Sequence, residues 1–468
     1  MLLRFFRIND PYRLVGLLVI LILLSLPFFI DPVAVTLSEL RSFVVGEAIH
    51  DGKLMYIQVY DSTPPFAAAI FGAADWLFGK SLTARHILSL TLIFFQAAFF
   101  AIVLIVNKAY NDNTYLPGLI FGLLCFLSFD FLTFSPELLA STFLLLALNN
   151  LFKEIEFRIQ RDEIILNLGV SLGMATLLVF SYVIFLVGAL IILIVFTRIN
   201  LRKALLLVFG FALPHMVLIT LYFYLGHTAE LWQNYYSPNL TLDVIRLISF
   251  KSILTLGIVP IVYFVFSMFM LNREARFTKY QSQLFQVMFL WLLVGVIHVF
   301  VARELSLQGF IIFIPSLAYL VSHYLLLIRR RWIAEMMLWL FMISLVSMNL
   351  LTRYGRIARV NFVEMFPKTS PYEKVASDRK VMALCDDISV YSQGKLAGYF
   401  LNWKLSRTIF EQPDYYENIL LINEAFETDP PDLIIDPKGL MEKIFDRIPK
   451  LKPLYKKEGE FYRRVVPR

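Results

Sequence analysis

The chain has 468 residues, 58% hydrophobic and 17% charged, with a net charge of +7 at pH 7. Soluble domains carry about 25% charged residues, so this composition excludes an ordinary soluble protein. The apolar residues fall in blocks of about 18–25, the length that crosses a bilayer core of about 30 Å. They define a polytopic helical membrane protein. No basic cluster is interleaved with aromatic residues, so the positive charge reads as loop Lys and Arg on one side of a membrane. No nucleic-acid partner is expected.

The N-terminal MLLRFFRINDPYR places basic residues before the apolar run Leu14–Ile30. That run is long, and Asp31-Pro32 is not a small-residue cleavage site, so it is read as an uncleaved first span. Eleven spans are expected, at about 14–32, 86–107, 115–130, 135–151, 164–180, 182–197, 204–225, 252–271, 284–302, 309–328 and 332–351. The charge-free block 164–197 is too long for one helix and is split near Ser181-Tyr182.

With the N-terminus inside, one set of connections is uniformly basic. It carries Arg4, Arg7 and Arg13; Lys108; Lys153, Arg158 and Arg161; Arg198, Arg202 and Lys203; Arg273, Arg276 and Lys279; and Arg329, Arg330 and Arg331. Cytoplasmic loops show this bias. The long loops 33–85 and 226–251, and the tail from about 352, fall on the other side.

In the first long loop, Leu37, Leu40, Phe43, Val44, Ala48 and Ile49 have helical spacing over 37–52. The spacing predicts a helix lying in the membrane interface, with Glu39 in its first turn facing water. A second interfacial helix is expected over Phe66–Phe78, after Thr63-Pro64-Pro65, because proline suits a helix start. In the tail, VMALC (381–385) is a short apolar stretch. PPDLIID (430–436) reads as a buried strand bounded by turn residues, and KGLMEKIFDRI (438–448) has helical spacing. The expectation is a small α/β domain over 352–468, after a membrane domain over 1–351. Cys125 and Cys385 lie in an apolar run and in the polar tail, so no pairing or metal spacing is expected. No tandem repeat is visible.

The first loop offers Ser38-Glu39, His50-Asp51-Gly52, Asp61-Ser62-Thr63-Pro64-Pro65, Leu77-Phe78-Gly79 and Ala84-Arg85, in that order. This layout resembles the first extracytoplasmic loop of GT-C glycosyltransferases, in the aminoarabinose transferase and protein O-mannosyltransferase branch. Ser135-Pro136-Glu137-Leu138 matches an acidic start to the fourth span. Gly169 to Leu178 looks like a Gly-rich fifth span, and Ser306 to Pro315 resembles the late loop-and-span. The resemblance covers about residues 10–350.

The resemblance implies a GT-C-like all-α membrane fold of about 11 transmembrane helices, with interfacial helices in the first outer loop and a small extracytoplasmic α/β domain. It implies a polyprenyl-phosphate-linked sugar donor in the bilayer and an acceptor lipid, glycan or protein. Glu39 would be the general base that takes the acceptor's proton. Arg85, His86 and Arg303 are candidates to meet the leaving phosphate, with Asp61, Glu137 and Glu304 as further substrate contacts. The implied location is a bacterial-type inner membrane, N-terminus cytoplasmic and tail periplasmic.

The chain departs from the family where Ser38 stands in place of an acid and Phe180-Ser181-Tyr182 in place of a Lys-Gly. With one carboxylate of the pair, an octahedral Mg²⁺ site is disfavoured, and no cofactor beyond the lipid-linked sugar is expected. The alternative is a catalytically degenerate GT-C-fold subunit of an envelope membrane complex, working with partner membrane subunits. A transporter would show broken spans at the midplane or an internal repeat.

Plainer readings stand beside each residue. Glu39 and Glu137 each sit in a first helical turn, where the dipole favours acids. Asp61 could cap the next helix, and Arg303-Glu304 could be an interfacial anchor. Asp130 reads as a helix-end residue, His215 and His298 as packed polar residues inside spans, and Asp386-Asp387 as turn chemistry.

Overall fold

A computed structural model describes residues 1–156, 161–197, 199–241, 245–274 and 276–465. Arg158 and Arg198, assigned above to basic connections, lie outside the described residues.

Eight described helices are long and apolar enough to cross a membrane: Arg13–Ile30, Leu82–Val106, Pro136–Ile155, Phe180–Thr197, Leu201–Leu225, Lys279–Val301, Gln308–Leu327 and Arg331–Arg353. A ninth arises if Phe250–Leu256 and Ile258–Glu274, bent by 58°, form one span. Pro260 explains the bend. It has no N–H for the Leu256 carbonyl, and its ring clashes with that carbonyl.

Two of the eleven expected spans are shorter than the apolar blocks promised. The block 115–130 yields only the nine-residue helix Leu116–Leu124, about 14 Å long. The chain then makes a separate tight turn, Phe129–Leu132, whose start is fixed by Ser128 Oγ accepting the Asp130 N–H at 3.4 Å. The block 164–180 yields the fifteen-residue helix Asp162–Thr176, about 22 Å long. Its first turn holds Asp162 and Glu163, and at its end the Thr176 hydroxyl donates back to the Gly173 carbonyl at 2.7 Å. A turn at Phe180–Val183 follows. This helix packs backbone to backbone on Leu201–Leu225: a Cβ at Gly169 would lie 2.3 Å from the Leu207 carbonyl oxygen. Small residues permit such close approach in membranes.

By compactness the chain forms two units. The first comprises Met1–Ala34, Leu82–Leu218 and Leu242–Glu364. It holds most of the membrane helices and one short parallel pair, β1 (Ile245–Arg246) and β2 (Glu304–Leu305), in register Ile245↔Glu304.

The second unit is assembled from three separate stretches: Val35–Ser81, Ile219–Thr241 and Met365–Arg468. Its loop helices are Leu37–His50 and Pro65–Phe78, which pack tightly; a Cβ at Gly72 would meet Ile49 Cγ2 at 2.6 Å. Its sheet contains β3 (Lys380–Ala383), β4 (Lys395–Leu396), β5 (Leu433–Ile435), β6 (Tyr455–Glu458) and β7 (Phe461–Arg464), in the order β4-β3-β5-β7-β6. β3 runs parallel to β4 and β5, while β5–β7 and β6–β7 are antiparallel. Helices Trp403–Glu411, Tyr416–Thr428 and Leu440–Arg447 complete it. Met382, Ile434, Phe426, Ile444 and Tyr462 share its core with Tyr60 of the first loop. The buried strand expected at 430–436 and the helix at 438–448 both form, and the apolar stretch 381–385 contributes to β3, because short apolar segments between turn residues have nowhere else to bury.

Candidate functional site

In the first unit, polar side chains gather where several helices end. Ser135 Oγ accepts the Leu138 N–H at 3.1 Å and starts the Pro136–Ile155 helix. Proline at the first position suits that start, and the next residue, Glu137, falls in the first turn. The Phe180–Val183 turn supplies Ser181 and Tyr182, and the last turn of Lys279–Val301 supplies His298. Ser181 Oγ lies 2.9 Å from His298 Nε2. The Tyr182 and His298 rings meet edge to face, with centroids 5.0 Å apart. Glu137 acts electrostatically on Tyr182, and Glu304 on Glu137.

Three atoms of this cluster are buried without a hydrogen-bond partner among the described residues: Glu137 Oε2, Tyr182 OH and His298 Nδ1. Each such group costs about 1–3 kcal/mol, and ionisable residues at membrane depth often mark functional positions. Gln308 Nε2 donates to Asp130 Oδ1 at 3.1 Å and also to Thr133 Oγ1.

The other residues singled out in this unit are placed as follows. Arg85 is buried, at 2% exposure, in the first turn of Leu82–Val106. The adjacent His86 ring meets Phe29 edge to face at 6.5 Å. The Arg303 carbonyl accepts the Ile245 N–H at 2.7 Å and so begins the β1–β2 pairing. Glu304 is in β2. Of the expected set, Glu137 and Glu304 come within electrostatic range of each other. Tyr182 and His298 join them although sequence reading had set one down as a departure and the other as packing.

Glu39 and Asp61 belong to the second unit. Glu39 does not face water: it is 7% exposed. Its Oε2 accepts the Thr36 N–H at 3.0 Å and the Thr36 hydroxyl at 3.1 Å, while Thr36 Oγ1 accepts the Glu39 N–H at 3.3 Å. The reason is the T-x-x-E spacing at 36–39, a capping box, which draws the carboxylate back onto the helix start. Asp61 is 1% exposed. Its Oδ2 accepts the Thr63 N–H at 3.2 Å and the Thr63 hydroxyl, and its Oδ1 accepts Asn402 Nδ2 at 3.2 Å. Tyr60 N–H donates to the Tyr399 carbonyl at 2.6 Å, and Asn402 N–H to the Tyr60 carbonyl at 2.9 Å. Asp61 therefore fastens the first loop to the tail.

Two further features of this unit escaped sequence reading. Lys53 Nζ meets Asp429 Oδ2 at 2.6 Å and donates to the Leu396 and Gly398 carbonyls at 2.9 and 3.1 Å. Lys380 Nζ reaches the other Asp429 oxygen at 2.7 Å. Burial alone would raise the Asp429 pKa, but Lys380 and Lys53 outweigh it and hold the carboxyl below its ordinary range. Tyr56 adopts a left-handed backbone, φ +67°. Its ring stacks on Tyr235 at 5.5 Å, and its hydroxyl donates to the Thr63 carbonyl at 2.6 Å. Burial pushes that hydroxyl's pKa well up. The only signal in the sequence was the tyrosine-rich NYY at 234–236.

Among the described residues, no group of three or more His, Cys, Asp or Glu side chains is arranged to hold a metal ion. The fold and these clusters define a polytopic helical membrane protein with polar side chains buried at its helix ends and an α/β unit that captures its first loop. No family model matches the chain, and no curated protein matches it. Among solved structures it is similar to ArnT from Cupriavidus metallidurans bound to undecaprenyl phosphate, at 14% identity and a TM-score of 0.44. The match covers 66% of this chain and 59% of that one, so the chain spans less than two thirds of that protein's length.

Proposed function

We propose that the protein is a glycosyltransferase that moves a sugar from a polyprenyl-phosphate-linked donor to a lipid, glycan or protein acceptor. The reaction would occur at the outer face of a bacterial-type inner membrane, with the N-terminus cytoplasmic and the tail periplasmic. The observation that carries the reading is the unsatisfied set Glu137 Oε2, Tyr182 OH and His298 Nδ1. A sugar presents hydroxyls that both donate and accept, so one ring can satisfy all three. The donor class follows from the ordered first-loop resemblance and the apolar bundle, which suits a polyprenyl tail.

In the proposed step, an acceptor hydroxyl attacks the anomeric carbon from the face opposite the phosphate. The acceptor's proton passes to a carboxylate. The sugar–phosphate C–O bond breaks, and the lipid phosphate leaves with its electrons. Glu39 is the proposed base. Its two bonds from Thr36 fix one carboxylate geometry. Arg85, His86 and Arg303 are proposed to meet the phosphate, and Glu137 and Glu304 the sugar. Asp61 is proposed to act through the loop it holds. No cofactor is invoked.

One observation favours the degenerate-subunit reading: the Glu39 carboxylate has a structural task at its helix start, and Ser38 precedes it. Transfer from a radiolabelled polyprenyl-linked sugar separates the two. The transferase reading expects turnover by the wild type, abolished in Glu39→Gln with folding and donor binding intact. Equal turnover in both removes Glu39 as base. No turnover by the wild type across lipid, glycan and protein acceptors supports the subunit reading.

A further inference from the structure

We infer that the opposite end of the membrane unit, where the short basic connections lie, carries a pocket for a phosphate group. This goes beyond the transfer reaction proposed above and uses none of its residues. The pocket has a volume of about 190 Å³ and is lined by Arg7, Asn111, Asp112, Arg276, Gln281 and His323. It is smaller than the roughly 300–1,000 Å³ of a drug-sized site, so it suits a headgroup-sized ion.

Its electrostatics select an anion. Arg7 and Asp112 neutralise each other, with Arg7 Nη2 and Nε 2.6 and 3.0 Å from Asp112 Oδ2. That pair leaves Arg276 as the net positive charge on the lining, and no ion pair engages Arg276 among the described residues. A second feature is independent of surface charge. His323 is 5% exposed, and its Nε2 is buried without a hydrogen-bond partner. Its ring is wedged between Tyr110 and Phe277, with centroids at 4.3 and 5.3 Å, so it cannot swing to water. Gln281 is fixed too. Its Oε1 accepts the Thr278 N–H at 3.1 Å, and its Nε2 donates to Asn111 Oδ1 at 3.2 Å. A phosphate oxygen accepting from His323 Nε2, with Arg276 beside it, satisfies the buried nitrogen and the charge together.

Leu326 and Leu327 also line the pocket, which favours the glycerol end of a phospholipid over a free ion. Basic pockets between membrane helices on the positive side bind anionic headgroups.

The test uses the full chain. Native mass spectrometry of protein released from vesicles of equal phosphatidylglycerol and phosphatidylcholine reads the lipid source. Titration with inorganic phosphate in detergent reads the free one. The wild type should retain phosphatidylglycerol in preference to phosphatidylcholine. Arg276→Gln, at an exposed position, should lower that preference about tenfold, equivalent to about 1.4 kcal/mol. His323→Phe should do the same while keeping the ring packing; if it fails to fold, Arg276→Gln decides alone. Phosphate binding that Arg276→Gln abolishes, with no lipid preference, supports the site and assigns it to a free phosphate. Absence of both preferences in the wild type, or their survival in Arg276→Gln, overturns the proposal.

Discussion

Lys53 Nζ lies 2.6 Å from Asp429 Oδ2, a contact between the first loop and the far end of the chain. The pair is largely buried, with side-chain exposures of 14% and 10%. Removing one partner strands the other, which costs about 3 kcal/mol. Asp429→Asn should therefore lower the melting temperature of the second unit by several degrees and open the 53–63 loop to protease. A fragment pattern identical to wild type would contradict this.

The same pair sets a pH dependence. The folded Asp429 pKa is held below its ordinary value. Its contribution is therefore complete above the unfolded pKa of about 3.9 and is lost as pH falls through the lower, folded value. The melting temperature should drop on acidification below about pH 4, and Asp429→Asn should flatten that part of the drop. A curve of unchanged shape in the variant would remove Asp429 as its source.

Tyr182→Phe should give opposite signs for stability and activity. The hydroxyl is buried without a partner, so deleting it recovers about 1–2 kcal/mol of desolvation and raises the melting temperature. If the hydroxyl meets the sugar, KM for the donor rises about tenfold, a loss of about 1.4 kcal/mol of binding. Unchanged KM together with raised stability would show that Tyr182 is packing alone.

Gly72→Val tests the loop-helix pair. A Cβ there would lie 2.6 Å from Ile49 Cγ2 and 3.0 Å from Ile49 Cβ, and the second of these atoms cannot rotate away. Overpacking of this kind costs about 1–3 kcal/mol. Thermal unfolding of the variant measures it, and Ile49→Ala in the same chain should recover part of the loss.

Glu137→Gln keeps the shape of the first-unit cluster and exchanges its carboxyl for an amide. Transfer should fall about tenfold if Glu137 meets the sugar, the loss of about one hydrogen bond. Transfer equal to wild type would leave Glu137 with its helix-dipole role only.

What the sequence determined by itself was local. Apolar block length marked the membrane class, and charge-bearing short connections marked one end of the bundle. The T-x-x-E at Thr36–Glu39 and the prolines at Pro65 and Pro136 stand where helices begin. The short strand 433–435 and the helix 440–447 could be read from a few neighbouring residues. Block length overstated the spans because helix ends depend on single residues, as at Ser128, Thr176 and Pro260. Only the tertiary structure decided the rest. Asp61 is held by Asn402 from the tail. Lys53 finds Asp429, and Tyr182 finds His298. These partners are far apart in the chain and carry no shared periodicity. Their pairing is set by packing and by the cost of leaving a buried charge or hydroxyl alone, and neither leaves a local mark in the sequence.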